Sequence, residues 1–133
     1  MNDCIKQLEA TGDYRIIQRF TPVTSYCESN EATKRVGIFL DTETTGLDVD
    51  ADKIIELAMV PFEFDASGRI YRLLPEYNGL NDPGMPIPEI ARQITGITDA
   101  MVKDQSIDLA AVKNLLSGAA IVIAHNARFD RPF

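Results

Sequence analysis

The feature that most constrains this chain is a short apolar segment that ends in two acidic residues. Val36 to Leu40 carries four large apolar side chains in five residues, which predicts a buried β-strand. Asp41 and Glu43 follow at spacing i, i+2, so on an extended chain both carboxylates lie on one face. Carboxylates this close repel each other unless a cation lies between them. The pattern therefore favours a hard divalent metal at Asp41 and Glu43 over the alternative, two solvated turn residues.

The composition indicates a soluble globular domain. The 133 residues fit one domain, and 45% hydrophobic and 25% charged residues are ordinary proportions. A formal charge of −7 argues against tight unaided binding to nucleic acid. Cys4 and Cys27 lie far apart without a CxxC partner, which predicts reduced thiols. No signal peptide opens the chain and no apolar run could span a membrane, so we expect a cytoplasmic protein.

Residues 1–35 differ in pattern from residues 36–133. Two short amphipathic segments are predicted before residue 21, and the polar stretch that follows resembles a linker; the apolar positions are Cys4, Ile5, Leu8, Ile16, Ile17 and Phe20. We therefore expect a helical arm with a linker over 1–35 and the main domain over 36–133. Packing of the arm on the core is favoured over the alternative, docking onto another subunit or domain.

The sequence pattern of the main domain predicts both strands and helices. Beyond the first strand, the pattern predicts a strand at 54–64, a hairpin partner at 69–77, helices at 88–94, 99–102 and 106–116, and a strand at 119–124. Pro61 demands an edge position or a bulge, and Ser106 is the expected cap of the third helix. Asp130 is the expected cap of one more helix, whose first turn coincides with the last residues of this chain.

This order of elements predicts an α/β sheet in which the last strand lies parallel to the first, joined by a helical crossover. Parallel neighbours carry their carboxyl ends on the same edge of a sheet, where ligands of open α/β sheets bind. We therefore expect Asp41, Glu43 and Asp130 to converge at that edge.

Two motifs resemble those of a known family. Asp41-Thr42-Glu43-Thr44-Thr45-Gly46-Leu47 resembles the first motif of the DnaQ-like (DEDDh) 3′–5′ exonucleases, and His125-Asn126-Ala127-Arg128-Phe129-Asp130 resembles the second. Residues 81–88 and 94–98 resemble connecting segments common in that family, so the resemblance covers about residues 36–133. The family includes the proofreading epsilon subunit of bacterial DNA polymerase III.

The resemblance implies an RNase H-like fold, with a central mixed β-sheet flanked by helices, and a site for two Mg²⁺ or Mn²⁺ ions about 3.5–4 Å apart. By position, the catalytic and metal-binding carboxylates are those of Asp41, Glu43 and Asp130. The substrate-binding positions are Thr44, Leu47, Asn126 and Phe129. Each of these four has a structural alternative: Thr44 satisfies a turn, Leu47 and Phe129 belong to the core, and Asn126 caps backbone.

One departure from the family pattern concerns the general base. His125 is the only histidine, and in this family the second-motif histidine orients or supports rather than acting as base. The third motif, which carries the base and a fourth carboxylate, is missing, so the exonuclease domain is expected to lack its C-terminal part. Losing a general base typically costs about 10²–10⁴-fold in rate, so we expect weak or absent activity in this form. We also expect an exposed apolar sheet face.

The function implied by the resemblance is metal-dependent hydrolysis of phosphodiester bonds at the 3′ end of a nucleic acid, DNA rather than RNA, as in proofreading. A DNA polymerase subunit is the implied partner. Two alternatives from other classes stay open: a non-catalytic module that binds a nucleotide or nucleic acid, and an interaction module associated with a polymerase.

Overall fold

A central mixed sheet organises the chain. The computed structural model describes residues 2–17, 19, 21–28 and 32–133. Within these residues the elements are α1 Asn2–Ala10, β1 Arg35–Thr44, β2 Ile54–Phe64, β3 Ile70–Leu73, β4 Tyr77–Leu80, α2 Glu89–Thr95, α3 Asp99–Val102, α4 Leu109–Ser117, β5 Ala119–Ala124 and α5 Ala127–Asp130. The described strands form one five-stranded sheet in the order β3-β2-β1-β5. The fifth strand, β4, pairs with a different segment of β2 from the one that pairs with β3.

Strand β1 lies at the centre of this sheet and is longer than predicted. It continues past Leu40 to Thr44, because it pairs antiparallel with β2 along its whole length and parallel with β5 from Val36 to Leu40. The predicted parallel pairing of the first and last strands is therefore confirmed. Asp41 and Glu43 are strand residues rather than turn residues, so the backbone holds their spacing.

The predicted strand at 69–77 was wrong as a single element, since it divides into β3 and β4, which pair with different parts of β2. Pro61, for which an edge position or a bulge was predicted, lies inside β2, opposite Ile38 on one side and between the segments that pair with β3 and β4 on the other. The carbonyl of Pro61 accepts a hydrogen bond from the amide of Leu74, in the gap between β3 and β4. The nitrogen of Pro61 points the same way, so its missing N–H falls where no partner strand needs one.

The predicted helix at 99–102 is confirmed as α3, whereas the starts of the other helices of the main domain differ from prediction. Helix α2 begins after Pro88, which precedes its first turn. Helix α4 is capped by Asp108 and not by Ser106, because the Asp108 carboxylate accepts hydrogen bonds from the amides of Ala110 and Ala111, 3.0 Å each. The predicted cap at Asp130 was wrong as well: it is the last residue of α5, and Asn126 precedes the helix.

One face of the sheet packs against helix α4 and carries much of the core. Ile38, Leu57 and Met59 are buried there, and the residues packed against them are Leu40, Ile54, Tyr77, Ile107, Val112, Leu115 and Ala119. We call this side of the sheet the covered face. A second cluster joins β2 to helices α2 and α3; its members are Ile55, Ile87, Ala91, Ile97 and Val102. The two clusters anchor the crossover between β4 and β5.

The N-terminal residues contact the sheet through the linker. The amide of Leu73 donates to the carbonyl of Thr24, and the amide of Tyr26 donates to the carbonyl of Tyr71, so this stretch borders the outer edge of β3. The first amphipathic segment is helix α1, as predicted. No helix forms at the second segment among its described residues: Ile17 is 87% exposed there, and Phe20 lies outside the described residues.

Candidate active site

Asp41 and Glu43 lie on the face of the sheet opposite the covered face. Side chains alternate along β1, so Ile38, Leu40 and Thr42 point toward the core whereas Asp41 and Glu43 point away from it. Two residues along a strand span about 7 Å, which places the two carboxylates within reach of one bound ion. The structure therefore confirms that β1 presents Asp41 and Glu43 together.

The side of the sheet that carries this carboxylate pair is apolar and partly uncovered. Phe39 stacks on Phe62 with ring centroids 4.6 Å apart and remains 40% exposed. On the neighbouring strand, Ile121 is 47% and Ile123 is 38% exposed, and both face the same side because they pair with Gly37 and Phe39. We call this side the open face. An exposed apolar sheet face was expected, and the described residues contain one next to the carboxylate pair.

The electrostatics of Glu43 differ from those of an ordinary surface carboxyl. Partial burial raises the pKa of Glu43, and the negative charges of Asp41 and Glu56 raise it further. Each of these causes opposes the ionised form. A bound divalent cation would oppose this negative field and favour the ionised form of Glu43, so the site is suited to positive charge.

Glu56 also contributes negative charge to this site, although it was not among the site residues predicted from sequence. It lies on β2 directly opposite Glu43, and like charges in such a cross-strand pair repel each other. The available signal was an acidic side chain inside a mostly apolar strand, 54–64, which carries only one other, Glu63. Glu56 therefore adds a third negative charge near the open-face pair.

Asp130 is placed differently from the other predicted carboxylates. Its Oδ1 atom accepts a hydrogen bond of 2.8 Å from the Oγ1 atom of Thr42, which is 9% exposed. Because Thr42 points to the covered face, this bond holds Asp130 at the end of β1 but on the side opposite to Asp41 and Glu43. The two strands thus bring the three residues to one edge, and the sheet separates the third carboxylate from the pair.

This arrangement fits one divalent cation better than two. Asp41 and Glu43 offer the hard oxygen ligands that Mg²⁺ and Mn²⁺ prefer. Among the described residues, however, no group of three acidic, histidine or cysteine side chains is arranged to hold a metal. The pair alone therefore fits a cation in this conformation, and the set that includes Asp130 does not.

The loop after β1 is held in a fixed shape. Thr45 donates a hydrogen bond of 2.8 Å to Asp52, whose other carboxylate oxygen accepts the amide of Asp48 at 2.9 Å. A Cβ atom on Gly46 would lie 2.4 Å from that carboxylate, so a larger residue there would displace the Asp52 side chain from its hydrogen bonds. Leu47, between these anchors, is 83% exposed, so the alternative that it belongs to the core is wrong.

The remaining predicted substrate residues are near the ends of β1 and β5. The hydroxyl of Thr44 donates to the carbonyl of Gly46, so this side chain does satisfy the turn. Phe129 is half-buried against Phe133, with ring centroids 5.0 Å apart. Asn126 is exposed and its side chain makes no capping hydrogen bond to α5. His125, just before it, is also exposed.

Comparison with known proteins decides the family. A family model described as "Exonuclease" matches residues 38–133. The chain belongs to this exonuclease family. The match begins in β1 and includes both motifs, which confirms the resemblance to the DnaQ-like enzymes. The RNase H-like expectation is confirmed as well, by the mixed sheet with flanking helices and by its similarity to exonuclease structures.

Curated relatives include bacterial polymerases. "DNA polymerase III PolC-type" of Listeria welshimeri is 40% identical over 95 residues, and that of Lacticaseibacillus paracasei is 34% identical over 98 residues. These matches cover 70% and 72% of the present chain, respectively. The chain spans only 6% of the length of either relative.

Solved structures show the same fold. Exonuclease X in complex with 5′-overhanging duplex DNA is 34% identical, with a TM-score of 0.53 over 72% of this chain and 52% of that one. E. coli exonuclease I in complex with an oligonucleotide has a TM-score of 0.58 over 74% of this chain and 22% of that one, and at 20% identity it supports the fold alone. Among the described helices, none has the length and apolar character needed to cross a membrane.

Proposed function

We propose that this exonuclease domain hydrolyses phosphodiester bonds at the 3′ end of a nucleic acid and that it requires a divalent metal. The observation that carries the proposal is the pair formed by Asp41 and Glu43, which strand β1 holds side by side on the open face. The raised pKa of Glu43 supports it, because the site has excess negative charge that a cation would neutralise.

In this proposal, Asp41 and Glu43 hold Mg²⁺ or Mn²⁺. The bound ion supplies a Lewis acid for the scissile phosphate and lowers the pKa of water. The protein's own part is to fix the backbone of the two acidic residues on the central strand, where Asp41 and Glu43 pair with Ala58 and Glu56 of β2. A rigid support of this kind preorganises the two carboxylates for metal binding.

The residues around Asp41 and Glu43 are suited to binding the 3′ end of a nucleic-acid strand. Leu47 offers an exposed apolar side chain against which a terminal base could pack, and the anchored loop keeps it in place. Thr44, Asn126 and Phe129 lie at the same edge of the sheet and are proposed to complete the nucleotide site. An aliphatic side chain can pack against the face of any base, so this contact implies little sequence preference.

DNA is the proposed substrate and a DNA polymerase the proposed partner. Relatives at 34–40% identity are regions of PolC-type DNA polymerase III, and exonuclease X binds duplex DNA. The net charge of −7 supports a partner, because few phosphates could be neutralised by the chain alone. We propose weak activity for the isolated 133-residue chain, since the described residues do not group Asp130 with the carboxylate pair.

The test uses single-stranded DNA labelled at either end, with Mn²⁺ or with EDTA. The proposal expects a 3′ label to be released as mononucleotide and a 5′ label to shift stepwise, in both cases only with Mn²⁺. Asp41→Asn should lower the rate by at least about 100-fold, because even residues that merely support metal ligands cost about 10–100-fold when mutated. Asp50→Asn, which removes the same charge from an exposed loop position, is the matched control. Equal loss in both variants, or hydrolysis from the 5′ end, would contradict the proposal.

A further inference from the structure

Strand β2 carries two glutamates, and the sheet balances the charge of only one of them. Glu63 accepts two hydrogen bonds from the guanidinium of Arg72 on the neighbouring strand β3, at 2.8 and 2.9 Å. The residues directly opposite Glu56 are Glu43 on β1 and Leu80 on β4. Within the part of the chain that the structure describes, the Glu56 carboxylate accepts no hydrogen bond and forms no ion pair. The described residues therefore leave its negative charge unbalanced.

An unbalanced glutamate at this position destabilises the sheet. Directly opposite residues of an antiparallel pair have Cβ atoms about 4.5–5.5 Å apart, and like charges there repel each other. Glu56 is half-buried, so water screens its charge less than at an exposed site. Its charge is also one of the causes of the raised pKa of Glu43. A neutral side chain would remove this repulsion, so the fold alone gives no reason for an acidic residue at position 56.

The cation proposed for Asp41 and Glu43 supplies such a reason, although Glu56 is not placed as a third direct ligand. In the described ranges, no three acidic, histidine or cysteine side chains are grouped closely enough to hold a metal together. Mg²⁺ that is bound by one or two carboxylates usually keeps several of its water molecules. Groups just beyond the direct ligands of a metal commonly orient what the metal binds. Glu56 is on the same face as the pair and one strand away, which suits a group that acts through water.

We propose that Glu56 is a positioning residue for the divalent cation: its carboxylate accepts hydrogen bonds from water in the hydration shell of the ion that Asp41 and Glu43 hold, without bonding to the ion itself. The inference rests on the proposed function, because it assumes that the pair binds a cation. It extends the site from β1 to β2, and the ion then balances the charge of Glu56 as Arg72 balances that of Glu63.

Replacing Glu56 by glutamine should change metal affinity and stability in opposite directions. Loss of a partner just outside the direct ligands typically weakens metal binding by about 10–100-fold. Glutamine keeps the shape of the side chain without its charge, so Glu56→Gln should bind Mn²⁺ at least about tenfold less tightly. Without metal, the same variant should have a higher Tm than the wild type, because the repulsion from Glu43 is gone. A residue with only a structural role would not combine higher stability with weaker binding.

The experiment measures Mn²⁺ affinity of the full chain by electron paramagnetic resonance of the free ion, and the number of water molecules on bound Mn²⁺ by water-proton relaxation. Glu56→Gln should bind Mn²⁺ more weakly and leave that number unchanged. Glu43→Gln is the comparison for a direct ligand and should add a water molecule to any Mn²⁺ that still binds. Glu63→Gln removes the same charge from the same strand, where Arg72 balances it, and should leave Mn²⁺ affinity nearly unchanged. Thermal melts check that each variant is folded.

Three outcomes would overturn the inference: unchanged or tighter Mn²⁺ binding in folded Glu56→Gln, an additional water molecule on its bound Mn²⁺, or an equal loss of affinity in Glu63→Gln. The second outcome would make Glu56 a direct ligand, and the third would make its effect one of overall charge. The Asp41→Asn variant separates these failures from failure of the proposed function. If Asp41→Asn abolishes Mn²⁺ binding while Glu56→Gln changes nothing, the cation site stands and the role of Glu56 is refuted. If Asp41→Asn binds Mn²⁺ like the wild type, the proposed function and the inference both fail.

Discussion

Replacing Glu43 by glutamine should stabilise the domain at neutral pH. Glu43 faces Glu56 across the β1–β2 pair and lies on the same face as Asp41, so the ionised carboxylate is repelled from two directions. Glutamine has nearly the same shape and no charge. Residues placed for binding often reduce stability in this way, and their removal gains stability while function is lost.

The magnitude can be estimated from the sheet geometry. The Glu43–Glu56 pair costs up to about 1 kcal/mol, the upper value for like charges in a direct cross-strand pair. Asp41, about 7 Å along the strand, adds about 0.6 kcal/mol if the intervening medium is as polar as water. A net gain of about 1 kcal/mol in unfolding free energy raises Tm by roughly 3–5 °C in a chain of this size.

The pH dependence gives the sharper test. The pKa of Glu43 is raised by folding, so the native state holds this proton more tightly than the unfolded state does. The wild type therefore loses stability as pH rises from the usual value of 4.5 through the raised pKa. Thermal melts across that range should show a gain from Glu43→Gln near pH 7 that disappears in acid. A gain of equal size at all pH values, or a loss at pH 7, would refute this reasoning.

Two further predictions concern the fold around the site. Gly37→Ala should destabilise the domain by about 1–3 kcal/mol in urea unfolding, because its Cβ would lie 2.3 Å from the ring of Phe62; Gly118→Ala, whose Cβ meets nothing closer than 3.8 Å, is the control and should change little. Asp65→Asn should lower Tm at neutral pH, because Ser67 and Tyr71 donate hydrogen bonds that hold the pKa of the Asp65 carboxyl far below its usual range. That contribution is present above about pH 4 and is lost as pH falls further, so the difference in Tm between wild type and Asp65→Asn should shrink in acid; a constant difference would count against this account of the turn.

Local patterns predicted the parts of the site that depend on one strand. The two-residue period of β1 was sufficient to place Asp41 and Glu43 side by side, because alternation is a property of the extended backbone itself. The parallel pairing with β5 also followed from sequence, since a helical crossover requires it. Both predictions use only neighbouring residues and general rules of chain connection.

The break between β3 and β4 was a missed local signal. Pro75 lies inside the predicted strand 69–77, and proline interrupts pairing wherever an N–H is needed. Pro61 of β2 faces the same break, so neither proline removes an N–H that a neighbouring strand would need. Reading them together would have predicted two short strands in place of one.

The positions of Glu56 and Asp130 depend on contacts that no local pattern contains. Glu56 meets Glu43 because of the register between β1 and β2, which shifts at an irregularity immediately after Glu43. Asp130 meets Thr42 because α5 turns toward the covered face, and a sequence motif does not specify that direction. The motif predicted which edge of the sheet Asp130 would reach but not which side.

We propose above that the open face beside Asp41 and Glu43 holds a divalent cation. The most direct measurement is the loss of backbone amide NMR signals on titration with Mn²⁺, because paramagnetic broadening falls steeply with distance from the ion. We expect the signals of Asp41, Thr42, Glu43 and the facing residue Glu56 to broaden first, and Asp41→Asn to remove this effect. Broadening centred on the acidic loop at 48–52, or spread evenly over the surface, would contradict it.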